Sequence, residues 1–243
     1  MPRPLALALG LITLAACGGP HAARPAAGGD AAITITPGQP DADFGRRGFD
    51  DHGALPAVSV DGTLVAALFH DHTDFVGVPV DTLVIWRTAD GERLGEVASG
   101  DGSPPDEASP AVDDGARGAA EATRALAGQR WIHAPAPATV TGEDRESSTV
   151  TLVDGTVVRY VDGKLGFDGG AIEPDRFASA GDLAPGDAGA DGTSCGGVMT
   201  VAALAEDVAG DWLLLAPDRI ELGGDACTGK LTAELAILAR LRR

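Results

Sequence analysis

In Pro56-Ala57-Val58-Ser59-Val60-Asp61-Gly62-Thr63-Leu64-Val65-Ala66-Ala67-Leu68-Phe69, two apolar runs flank a single Asp-Gly pair. An Asp-Gly pair between two apolar, β-branched runs is the strongest short-range signal for a β-hairpin, because both residues tolerate the positive φ of a turn that matches strand twist. The same punctuation recurs at Asp90-Gly91, between Thr82-Leu83-Val84-Ile85-Trp86-Arg87 and Arg93-Leu94-Gly95-Glu96-Val97. Two hairpins in succession predict a four-stranded antiparallel unit over residues 51–110.

Working toward the C-terminus, a turn-rich stretch from Gly100 to Pro110 precedes Ala116 to Gln129, whose alanines with Glu121, Arg124 and Leu126 predict the one short helix. Ala119, Ala122 and Leu126 form its apolar stripe and Gly128 is its stop signal. Two further Asp-Gly turns, Asp154-Gly155 and Asp162-Gly163, predict a three-stranded meander from Thr149 to Phe167. Pairing Val153 with Thr156 and Val161 with Lys164 sets Val158 opposite Phe167 and Tyr160 opposite Leu165 on one buried face. Val198 to Leu204, Trp212 to Ala216, Ile220 to Leu222 and Thr232 to Leu241 read as further strands, with helix as the alternative for the last segment. The fold class is therefore mainly β, with α+β as the alternative, built of antiparallel hairpins and meanders in blade-like or sandwich sheets. Residues 111–243 are expected to form one globular body with 51–110.

Toward the N-terminus, Arg3 precedes the apolar run Leu5 to Leu14, which meets Ala15 and Ala16. These are the parts of a signal peptide over 1–16, and the run falls short of the roughly 20 apolar residues a spanning helix needs. Leu14-Ala15-Ala16-Cys17 resembles the lipobox of bacterial lipoproteins. That resemblance implies cleavage before Cys17, acylation of its thiol and a membrane attachment made by lipid; Gly18, in place of an aspartate, leans toward the outer membrane. Residues 17–50, rich in Gly, Ala and Pro, then read as a lipidated flexible tether to an extracytoplasmic body in the cell envelope.

Leu55-Pro56-Ala57-Val58-Ser59-Val60-Asp61-Gly62-Thr63-Leu64-Val65-Ala66 is similar to the P-x-x-S-x-D-G-x-x-[IV]-A repeat of Tol-type β-propeller proteins. The likeness covers one blade, about 45 residues. The wider arrangement resembles lipoproteins of high-GC bacteria, a likeness that implies no activity.

A net charge of -18 without a basic stripe excludes an electrostatic grip on nucleic acid or on anionic lipid headgroups. In an oxidising compartment Cys195 and Cys227 are the available disulfide pair, closing a loop of about 32 residues worth roughly 3–4 kcal/mol; a thiol metal or redox site is the alternative. Neither Ser-x-x-Lys nor His-Glu-x-x-His nor a phosphate loop occurs in the sequence. His70-Asp71-His72-Thr73-Asp74 is the one concentrated cluster. His70 and His72 project to one side if the strand continues, with His52 within reach and Asp74 nearby, a donor set suited to zinc or another transition metal; exposed turn residues are the plain alternative. Asp187 to Gly192 lacks a regular calcium-ligand spacing. Two classes follow. One is a non-enzymatic binding or structural lipoprotein without a cofactor, whose partner is an envelope protein or a glycan. The other is a metal-binding protein or metal-dependent hydrolase centred on His70 and His72, which predicts near-stoichiometric metal in the purified protein.

Overall fold

The chain is mainly β, and every ladder between its described strands is antiparallel. The computed structural model describes residues 31–40, 47–72, 79–100, 114–134, 139–144, 147–152, 154–161, 164–167, 170–173, 197–207, 211–222 and 232–242.

The described strands form three sheets. A two-stranded ribbon pairs β1 (Thr36–Pro40) with β2 (Arg47–Asp50). A five-stranded sheet joins β3 (Ala57–Ser59), β4 (Leu64–His72), β5 (Pro79–Arg87), β6 (Arg93–Ala98) and β7 (Trp131–His133) in the order β6-β5-β4-β3-β7. The third sheet comprises β8 (Thr139–Asp144), β9 (Ser147–Thr151), β10 (Val157–Val161), β11 (Lys164–Phe167), β12 (Gly170–Glu173), β13 (Gly197–Glu206), β14 (Trp212–Leu222) and β15 (Ile237–Arg242). Its order is β13-β14-β15-β12-β11-β10-β9-β8. The described residues also form two helices, α1 (Asp114–Leu126) and the single turn α2 (Thr232–Leu235).

Strand alternation sorts the core into three layers. On β4 and β5, Ala66, Leu83 and Ile85 face α1, meeting Ala119, Ala122 and Leu126 together with Ile33, Ile35, Phe49 and Trp131. The opposite face presents Val65, Ala67, Phe69, Val84 and Trp86 to Trp212, Leu214, Ala216 and Leu238 of the larger sheet. The far side of that sheet sends Leu213, Leu215, Ile237 and Ala239 inward to meet Val150, Val158, Tyr160 and Leu165. Residues from both ends of the sheet share this last cluster, so the sheet curls over on itself. Its seam is marked by the Val201 amide, which donates to Ser148 Oγ at 3.0 Å.

This stacking explains the run Trp212-Leu213-Leu214-Leu215-Ala216: β14 is covered on both faces, so it does not alternate. Each fully buried leucine there contributes about 1.5–3 kcal/mol. All three tryptophans are buried, Trp131 beside α1 and Trp86 and Trp212 between the sheets. α1 ends where its spacing predicts, with Gly128 at φ 85° just beyond it and Trp131 Nε1 donating to the Leu126 carbonyl at 3.1 Å.

Four expectations are corrected. Residues 17–50 do not all form a tether: β1 and β2 lie within that range and Ile33, Ile35 and Phe49 are buried. Ile33 and Ile35 stand in one short alternating run, Ile33-Thr34-Ile35-Thr36, and Phe49 lies beyond a stretch rich in Gly, Pro and Asp, so the average composition of the segment hides them. The β9–β10 hairpin closes on Leu152 and Thr156, whose N–H···O bond is 2.8 Å, rather than on Val153 and Thr156. With Gly155 at φ 85° this is the wider turn, and Val158 consequently faces Val150. The segments at 212–216 and 220–222 are one strand, β14, which carries Pro217 at an irregularity in its ladder with β13. β15 pairs with β14 only as far as Leu215, so Pro217 interrupts no bond on that side. The last segment divides into α2 and β15.

Candidate functional site

β4 runs on through the histidine cluster instead of stopping before it, and its ladder with β5 sets His70 directly opposite Asp81. Both side chains point to the α1 side of the sheet by strand parity. His70 Nδ1 donates to Asp81 Oδ1 at 2.9 Å. The imidazole is largely exposed, 62%, whereas the carboxylate is 8% exposed.

Asp81 is the centre of the arrangement. Its second oxygen, Oδ2, accepts the Phe49 amide from β2. Its backbone is held on the other flank by Ser99, whose Oγ accepts the Asp81 amide at 2.9 Å and whose own amide donates to the Asp81 carbonyl at 2.7 Å. The approach of β2 depends on Gly48, because a Cβ there would run into the Asp81 carboxyl group. A buried carboxylate needs such partners: leaving it without them costs several kcal/mol.

The hydrogen bond that His70 donates to Asp81 raises the pKa of His70 above its ordinary value. Partial burial opposes this rise, and the charges of Asp81, Asp51 and Asp71 add to it. Fixing Nδ1 as the donor leaves Nε2, which has no hydrogen-bond partner among the described residues, as the atom that takes up or releases the proton.

Neighbouring carboxylates are occupied in the scaffold. Asp71 points to the opposite face, where its oxygens accept the amides of Thr232 at 2.9 Å and Ala233 at 3.1 Å, tying α2 to β4. Asp51 accepts the amides of Gly53 and Leu55, shaping the turn after β2. His52, at φ 55° in that turn, sits 3.3 Å from both Asp50 Oδ1 and Thr36 Oγ1 and does not bond to His70. Farther away, Asp61 Oδ1 receives the Ser59 hydroxyl at 2.6 Å and the Thr63 amide at 3.1 Å, which lowers the Asp61 pKa, chiefly through Ser59. That knot closes the first Asp-Gly hairpin.

Of the sequence-derived site residues, the structure thus places His70 and His52 apart, each with its own carboxylate. His72 belongs to β4, but its side chain, like Asp74, Cys17, Cys195, Cys227 and the 187–192 loop, lies outside the described residues. Among the described residues no group of three or more His, Cys, Asp or Glu is disposed to hold a metal ion. Asp81 is the residue that sequence reading missed. A lone carboxylate inside Pro79-Val80-Asp81-Thr82-Leu83-Val84-Ile85-Trp86 was its signal, since a charge in a buried strand requires a partner.

No helix of the described residues is long and apolar enough to cross a membrane. No family model, curated protein or solved structure matches this chain.

Proposed function

We propose that the chain is a bacterial envelope lipoprotein, cleaved before Cys17 and acylated on it, which presents a non-enzymatic binding or structural body at the outer membrane. The observation that carries this reading is the order Arg3, apolar run, Leu14-Ala15-Ala16-Cys17, followed shortly by the first residue of the body. Ala31 exchanges two backbone hydrogen bonds with Trp131, at 3.1 and 3.0 Å, so the body is secured close behind the cysteine. A linker of about 14 residues reaches at most about 50 Å when extended, which keeps the body within the envelope near its anchor. The partner is another envelope protein or a glycan, taken up on sheet edges and loops.

The Cys195–Cys227 bridge belongs to the same proposal. Gly197 pairs with Leu222 across the β13–β14 ladder. Cys195 precedes the one and Cys227 follows the other by a few residues, so both chain ends leave from the same end of the hairpin, as a disulfide requires.

Radiolabelled palmitate tests the anchor: label is expected on the wild-type protein and is lost, together with membrane partition, in Cys17→Ala. A Cys17→Ala protein that still sediments with membranes refutes the lipid attachment. Crosslinking in cells with the wild-type chain then identifies the partner.

A further inference from the structure

Asp81 joins three elements: its own strand β5, the His70 side chain of β4 and the Phe49 amide of β2. The β1–β2 ribbon it holds is otherwise attached by apolar contacts and by Thr123 of α1, whose Oγ1 accepts the Ile35 amide at 2.9 Å and donates to the Ile35 carbonyl at 3.0 Å. Among these partners His70 is the one that changes charge near neutral pH, and its exposure leaves its proton in exchange with solvent.

We infer that His70 and Asp81 form a proton-controlled clasp on the β1–β2 ribbon. With His70 charged, the buried Asp81 carboxylate is compensated and the Phe49 amide stays bonded. With His70 neutral, the same carboxylate remains buried on neutral donors, and the ribbon opens more often. The charges around the imidazole support this direction. Asp51 lies in the turn after β2, Asp71 on the opposite face of β4, and both add negative potential at His70. Asp50 and His52 pair with each other on the ribbon side. The elevated pKa of His70 fixes the window: the clasp is fully engaged below the ordinary imidazole value and releases as pH rises through the higher value of the folded protein.

Amide hydrogen exchange on the purified full chain reads this at the bond itself. After correction for intrinsic rates, the Phe49 amide is expected to exchange roughly three- to tenfold faster at about pH 8.5 than at about pH 6, the difference between a charge-assisted and a neutral hydrogen bond. The Leu214 amide in β14, far from the ribbon, is released only by global unfolding and exchanges far more slowly than Phe49 at both pH values. His70→Gln removes the pH dependence and His52→Gln retains it. A flat Phe49 profile in the wild type overturns the clasp. So does an unchanged profile in His70→Gln, or a Phe49 amide as slow as Leu214 at both pH values, which marks exchange by global unfolding instead. None of these outcomes depends on the lipid anchor, so failure of the clasp is separable from failure of the localisation.

Discussion

Replacing Asp71 tests how the two large sheets are joined. The residue is 7% exposed, and its carboxylate accepts two backbone amides at the start of α2, from a part of the chain far away in sequence. Hydrogen bonds to a charged acceptor contribute about 1.5–3 kcal/mol each, and removing the burial cost of the charge offsets part of that loss. Asp71→Ala is therefore expected to cost about 3 kcal/mol and Asp71→Asn about 2 kcal/mol, because the amide oxygen still accepts one of the two N–H groups. The far end of α2 provides a check. Arg93 stacks on Trp86 at 5.8 Å and donates to the Ala236 carbonyl at 3.1 Å, so it grips the same turn from the other side. If Asp71 and Arg93 dock α2 as a unit, the double variant Asp71→Ala, Arg93→Ala loses less than the two single losses together, by about 0.5–1 kcal/mol or more. Guanidinium unfolding at constant pH measures Asp71→Asn and the four proteins of the cycle. A loss below about 1 kcal/mol for Asp71→Ala, or strict additivity in the cycle, refutes this account of the joint.

Three further outcomes follow from the same packing. Gly118→Ala places a Cβ 2.9 Å from the Ala98 carbonyl oxygen and 3.1 Å from the Phe49 ring; thermal melting should show a net loss of about 1–3 kcal/mol despite the roughly 1 kcal/mol that alanine gains over glycine within a helix. Leu214→Ala, at a fully buried position, should cost about 2–5 kcal/mol, whereas Val161→Ala, half-exposed, should stay within about 0.5 kcal/mol by the same denaturation assay. Because the pKa of His70 is raised on folding, its contribution to stability is present at acidic pH and fades as pH climbs through its folded value. Unfolding free energies across that range should show a decline in the wild type that His70→Gln lacks.

Local features of this fold were readable because their signals are local. The Asp-Gly turns located the hairpins, and α1 emerged from an alanine-rich stripe with Gly128 beyond it. Parity also found the β10–β11 register, in which Val158 meets Phe167 and Tyr160 meets Leu165. What lay out of reach depends on pairing at a distance. β7 adds beside β3, and β12 pairs with β15 across the β13–β14 hairpin; no short motif marks either contact. Ile33, Ile35 and Phe49 acquire a core only once α1 covers them, so their segment reads as linker until the helix is placed. His70 was conspicuous by composition, but its partner follows from the β4–β5 register, which carries the ladder through His72 opposite Pro79. The histidines drew attention to one another, whereas the packed structure gives each of His70 and His52 a carboxylate.

The placement of the three indoles makes the protein its own optical probe. Trp131 lies in the layer that α1 and the β1–β2 ribbon cover, while Trp86 and Trp212 lie in the layer between the sheets, with Phe69 meeting Trp86 edge-on at 6.2 Å. Folded protein should accordingly emit at short wavelength. Partial loosening of the helical cover would red-shift the Trp131 component alone, and separation of the sheets would shift the other two, so fluorescence can tell which layer parts first.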